Sequence, residues 1–188
     1  KAFEVYWPSD AERQNSRRQG KNAASSYVTP KKATAPRLIH ASEEVGQLLG
    51  LSKEDLNSEE FLQLFSGNTI YQGTEPYAMC YAGHQFGNWA GQLGDGRAIN
   101  LFEVVNDQKR WAVQLKGAGE TPYSRNADGL AVLRSSVREH LCSEAMYALG
   151  VPTTRSLSLM LSGDMVNRDM LYDGHPALEK GAIVCRVS

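Results

Sequence analysis

The sequence predicts an α+β fold: an antiparallel sheet carrying one long helix, preceded by an extended and helical N-terminal segment. Three observations carry that expectation. Two strand-like stretches, 98–105 and 110–116, flank a polar turn at 106–109. The stretch 130–149 repeats apolar residues at helical spacing and stops at Gly150 and Pro152. Residues 1–37 are polar and broken by Pro8, Pro30 and Pro36, the pattern of an arm that wraps around other elements.

Each element has a local cause. Ser42 caps a short helix whose first turn holds Glu43 and Glu44, whose apolar face is Val45, Leu48 and Leu49, and whose end is Gly50. Ser52 with Asp55 repeats the capping pattern, and 59–65 is a third short helix ending at Gly67. From Tyr71 to Arg97 six glycines alternate with Tyr77, Tyr81, Phe86 and Trp89, which suits tight, backbone-exposing turns and excludes a long helix. In 110–116 the residues Trp111, Val113 and Leu115 share one face, so Gln114 and Lys116 lie on the other. Leu130, Leu133, Val137, Leu141, Ala145 and Leu149 form the core stripe of the long helix, with Asp128 as its N-cap. Strands at 154–161 and 182–187 close the chain, separated by a polar insertion at 162–180. A glycine-rich turn, a strand, a strand ending in Lys, a helix and two strands is the element order of a protein-kinase N-lobe. Residues 1–70 then form the arm and short helices that pack on the lobe, and 71–188 form the lobe itself.

Bulk properties exclude some functions. The 188 residues carry a formal net charge of -1, with 41% hydrophobic and 22% charged residues, so no overall field points to nucleic acid or an anionic membrane. The first 40 residues nonetheless carry a net +5. This basic, serine-containing opening is compatible with an organelle-targeting segment but lacks an Arg-rich amphipathic repeat. No apolar run approaches a membrane span. Cys80, Cys142 and Cys185 form no CxxC pair, which argues against a zinc site or disulfide framework and for a reducing compartment.

The chemistry-bearing candidates are few. Gly94, Gly96 and Arg97 in the run Gly91–Arg97 offer unobstructed backbone amides and a fixed cation, a combination suited to phosphate. The spacing fits neither a Walker A loop nor a strict kinase glycine loop. Lys116 at a strand end, with Glu139 later on a helix, matches the pairing by which kinases orient a phosphate-binding lysine. Glu144 lies on the same helix, and helical phase leaves both carboxylates open as the partner. Arg186 stands on an apolar strand and needs a carboxylate or a phosphate. His84 near Cys80 lacks a third metal ligand. Ser135 and Ser136 read as helix-surface residues, Asp164 and Asp169 as solvated.

Several stretches closely resemble the selenoprotein O (YdiU) family: 81–97, Gln114–Gly119, Thr121–Arg125, Asp128-Gly129 with Ala131–Ser135, Arg138–Met146, Gly150–Arg155 and Gly181–Val187. The basic opening is also similar to the family's N-terminal segment. The resemblance implies a kinase-like fold that binds ATP in a flipped orientation with Mg²⁺ (or Mn²⁺) and transfers AMP to Ser, Thr or Tyr hydroxyls of proteins. It implies nucleotide contacts at Gly94, Gly96, Arg97, Lys116, Asp128, Gly129 and Arg186, with Glu139 orienting Lys116. A cytoplasmic location follows, or a mitochondrial one in a eukaryote. The family's catalytic Asp, its metal-binding Asn and Asp and a second phosphate-binding Arg are expected downstream in a C-lobe, so this N-terminal piece alone is expected to be inactive. Kinases usually place a small Ala two residues before the lysine, against adenine; here that position is Gln114, which hints that adenine sits elsewhere. A kinase moving the γ-phosphate and a non-catalytic nucleotide-binding module are the alternatives.

Overall fold

The computed structural model describes residues 6–188. Strands β1 (Ser25–Tyr27), β2 (Arg37–Ala41), β3 (Tyr77–Met79), β6 (Ala98–Asn106), β7 (Lys109–Lys116), β9 (Arg155–Arg168) and β10 (Ala177–Val187) form one antiparallel sheet in the order β1-β3-β6-β7-β10-β9-β2. A short β8 (Ala131–Val132) pairs with β10, and β4 (Ala82–Gln85) and β5 (Asn88–Gln92) make a separate hairpin. The sheet is accompanied by helices α1 (Glu43–Leu48), α2 (Lys53–Leu56), α3 (Glu59–Phe65) and α4 (Leu133–Ala148). An α+β lobe with an antiparallel sheet and one long helix is the arrangement expected of a kinase-like N-lobe.

The sheet divides the molecule. Val113, Leu115, Cys185 and Val187 point to one face and bury against Val45, Leu56, Phe61 and Phe65 of the short helices. Side chains directly opposite each other on antiparallel neighbours share a face. The pairs Val184↔Lys116 and Arg186↔Gln114 therefore stand together on the other side. Leu133 and Val137 of α4 pack on Leu159, Ala182 and Val184 there, which brings the long helix to the face that carries Lys116.

The short helices form for the reasons their sequence gives. The Ser42 hydroxyl accepts from the Val45 amide, and Ser52 with Asp55 closes a full capping box. Gly50 takes a left-handed φ of 76° at the end of α1.

Four expectations require correction. The stripe assigned to the long helix fails beyond its first half: Leu141 is 62% and Leu149 77% exposed, while Ser136 and His140 are buried. The strand end beneath that half is polar, with buried Arg155 and Ser156 bonded to Glu144 and His140 of the helix, so the helix meets it with polar groups and turns its leucines outward. For the same reason Ser136 is an interior residue. Nor is Asp128 the N-cap, because Ala131 and Val132 are held extended by pairing with Ala182 and Gly181, and α4 starts after Val132 without a side-chain cap. Finally, 162–180 is mostly strand: β9 and β10 continue through it as a hairpin, with Val166 buried. Its loop is organised by Asp169, whose carboxylate accepts from the amides of Asp173 and Gly174.

The polar seam under α4 predicts a pH response. His140 Nδ1 is bonded to the Ser156 hydroxyl, and its Nε2 lies 2.9 Å from Nδ1 of His40. Burial, and then His40, push the His140 pKa below its ordinary 6.5, against a smaller opposing pull from Glu144. A folded-state pKa below the unfolded one means the unfolded chain binds the proton first. Stability is then fully present above the unfolded pKa and is lost as pH falls from about 6.5 toward the folded value. Denaturant midpoints measured from pH 7.5 to 5.5 should fall more steeply in the wild type than in His140→Gln. Parallel slopes would show that His140 makes no such contribution.

Candidate nucleotide site

The sequence-predicted residues fall into two adjoining groups. Gly94, Gly96, Arg97, Asp128 and Gly129 line a cavity of about 650 Å³ between the β4–β5 hairpin and the loop 123–130. Lys116, Glu139 and Arg186 stand beside it on β7, α4 and β10. The Gly117 amide donates to the Arg97 carbonyl at 2.8 Å, so the backbone joins the two groups directly.

Local sequence builds the cavity. Gly94 has a φ of 127°, and a Cβ there would lie 2.7 Å from the Met79 carbonyl oxygen and 2.8 Å from the Tyr123 ring. The loop after β7 clamps the glycine turn: Thr121 Oγ1 donates to the Asp95 carbonyl at 2.6 Å, and the Ser124 hydroxyl donates to the Gly96 carbonyl. Asp128 is held by Arg168 through paired contacts of 2.7 Å, and its Oδ1 accepts from the Leu130 amide at 3.0 Å. Burial pushes its carboxyl up, but Arg168 and the backbone bond outweigh burial and hold it below the ordinary carboxylate range. Arg125 reaches across the mouth to Gln85 at 2.9 Å. Three guanidinium groups (Arg97, Arg125, Arg168) thus line the cavity with Asp128 as the only carboxylate among the lining residues.

In the second group Lys116 Nζ lies 2.7 Å from Glu139 Oε2, and Arg186 Nη1 lies 3.3 Å from Glu139 Oε1. All three side chains are about one quarter exposed. The competing carboxylate, Glu144, is taken by Arg155 at 2.7 Å and by the Ser156 amide at 3.0 Å. Sequence spacing left the choice open; the partner 11 positions away settles it. One carboxylate shared by two cations leaves an excess positive charge, partly shielded from water, facing the same side as the helix.

A family model described as "Protein adenylyltransferase SelO" matches residues 11–188. The chain belongs to the SelO family. A member from Flavobacterium johnsoniae named "Protein nucleotidyltransferase YdiU" is 68% identical over 186 residues, which is 99% of this chain and 36% of that protein. Proteins of the same name from Rhodopirellula baltica and Methylobacillus flagellatus are 62% and 61% identical, each over 96% of this chain and 34% and 35% of their own lengths. The chain therefore spans about a third of the length of the curated relatives it matches.

Sequence reasoning passed over several residues of this SelO-family site. Arg125 and Arg168 line the cavity without having been singled out. Asp95 is buried beside the glycine turn, where burial, above all, raises its pKa despite bonds from the Met79 amide and Asn100. Asn100 and Gln114 stand opposite each other on the side away from the buried Val113 and Leu115. The three cysteines are free thiols, and burial pushes that of Cys185 far up, so it is inert. Among the described residues no helix is long and apolar enough to cross a membrane.

Proposed function

We propose that this chain supplies the N-terminal part of the ATP site of a protein adenylyltransferase, an enzyme that moves AMP from ATP onto Ser, Thr or Tyr hydroxyls of other proteins in a reducing, cytoplasmic-type compartment. The observation that carries this reading is Glu139 holding Lys116 and Arg186 together beside a glycine-lined cavity. Two cations on one carboxylate form a seat for a polyanion, and a fixed ammonium is oriented by its carboxylate partner. Membership of the SelO family and the names of the relatives support transfer of a nucleotide rather than of a lone phosphoryl group.

In this reading Arg97, Lys116 and Arg186 bind the phosphates, while the amides of the glycine turn and Gly129 approach the nucleotide closely. The substrate hydroxyl attacks the α-phosphorus, the bond to the bridging oxygen breaks, and pyrophosphate leaves. The hydroxyl proton passes to a base outside the described residues, where the family resemblance places an Asp. A divalent cation such as Mg²⁺ or Mn²⁺ is proposed to accompany the triphosphate and offset its charge. Among the described residues no group of three or more His, Cys, Asp or Glu side chains could hold a metal, and the family resemblance places the Asn and Asp that would hold the ion downstream.

The test uses the full-length protein and ATP labelled at the α- or the γ-phosphate. Label arriving on protein from the α position alone is the expected result. Label from γ alone would make the protein a kinase, and label from neither would leave a nucleotide-binding module.

A further inference from the structure

A row of buried and half-buried polar side chains crosses three neighbouring strands behind the cation pair. Gln114 is opposite Asn100 on β6 and opposite Arg186 on β10. Arg186 Nη2 donates to the Gln114 side-chain oxygen, and Gln114 Nε2 donates to Asn100 Oδ1 at 2.9 Å. Asn100 Nδ2 in turn donates to Asp95 Oδ2 at 3.1 Å. Asp95 and Asn100 are 7% and 6% exposed, so water does not compete for the bond between them.

The orientation of both amides follows from the charges at the ends. The guanidinium has only donors, so Gln114 must turn its oxygen toward Arg186 and its NH₂ toward Asn100. Asn100 must then offer its oxygen to Gln114 and its NH₂ to the Asp95 carboxylate. Each side chain has one consistent orientation, and a row of this kind is rigid. Arg186 needs that rigidity. Its Nε is buried without a hydrogen-bond partner, and its contact with Glu139 is long at 3.3 Å. Gln114 and Glu139 are therefore the side chains that anchor it.

We infer that Gln114, backed by Asn100 and Asp95, is a positioning residue that fixes the Arg186 guanidinium for a phosphate of the bound nucleotide. The inference rests on the ATP reading above. It also gives a physical reason for an amide where kinases carry a small residue: the Gln114 side chain fills that space and uses both of its polar ends. A residue acting only through Arg186 affects ligands that have phosphates and leaves a bare nucleoside alone.

The experiment measures equilibrium binding of ATP, ADP and adenosine to the full-length protein, its Gln114→Met variant, Arg186→Ala, and the double variant, with thermal midpoints alongside. Gln114→Met is expected to weaken ATP about tenfold, the worth of a lost bond to a charged group, and to leave adenosine unchanged. In the Arg186→Ala background it should cause no further loss. Gln114→Asn keeps both amide groups but withdraws them by one carbon; it should show the same selective loss in smaller degree and serves if the Met variant does not fold. An unchanged ratio of ATP to adenosine affinity, or a full additional loss in the Arg186→Ala background, overturns the inference while leaving the ATP site standing. Failure of the wild type to bind ATP overturns the ATP reading and this inference together.

Discussion

Replacing Lys116 by alanine is expected to lower AMP transfer by the full-length protein about a hundredfold or more, with little change in its thermal midpoint. The size follows from the role: a charge fixed where phosphate charge must be stabilised contributes two to three orders of magnitude at comparable sites. The intact fold follows from the geometry. Lys116 is about a quarter exposed and sits on the sheet face opposite the main core, so truncation opens no apolar cavity. Its partner is not stranded either, because Glu139 keeps Arg186 at 3.3 Å. Lys116→Arg should not rescue activity, since a planar fork cannot occupy the place of a compact ammonium 2.7 Å from Glu139. Glu139→Gln should be milder than Lys116→Ala, because the ammonium stays but loses its anchor. Near wild-type transfer by Lys116→Ala would take this residue out of the mechanism, whereas inactivity with a collapsed thermal midpoint would show a structural role instead.

What could be read from the sequence was what neighbours along the chain decide. The caps at Ser42 and Ser52 depend on amides three residues away, and the alternation in β7 places Lys116 opposite Val113 and Leu115 whatever surrounds it. The parts that could not be read depend on distant chain. Asp128 looks like an N-cap until Arg168, 40 positions later, claims its carboxylate and β8 delays the helix. Leu141 and Leu149 look like core until Arg155 and Ser156 arrive beneath the helix and bond to Glu144 and His140. Glu139 and Glu144 are indistinguishable by helical phase, and only the approach of Arg155 to Glu144 separates them. The Asp95–Asn100–Gln114–Arg186 row is invisible for the same reason: each bond crosses between strands or joins a turn to a strand, so no local pattern marks it.

Gly129→Ala should be the most damaging single-methyl change in the chain, costing about 3 kcal/mol or more of stability. Two effects add. Gly129 has a φ of 69°, which any side chain strains, by about 1 kcal/mol for alanine. In addition, the new Cβ would lie 2.1 Å from the Gly119 carbonyl oxygen, 2.2 Å from its carbon and 2.4 Å from the Glu120 nitrogen. These are backbone atoms and cannot swing aside as a side chain could. Gly119 is itself tied to this strand of the loop by donating its amide to the Gly129 carbonyl at 3.1 Å. Relief therefore requires the two sides of the loop to part, and that loop lines the cavity with Asp128 and Arg97. Gly73→Ala isolates the first effect, since Gly73 has a φ of 78° and open space where its Cβ would be. Chemical denaturation of both variants compares them directly: Gly73→Ala should lose about 1 kcal/mol and Gly129→Ala about three times as much or more. Equal losses would mean the loop is not closed as tightly as the structure has it, and the cavity it walls would need a different shape.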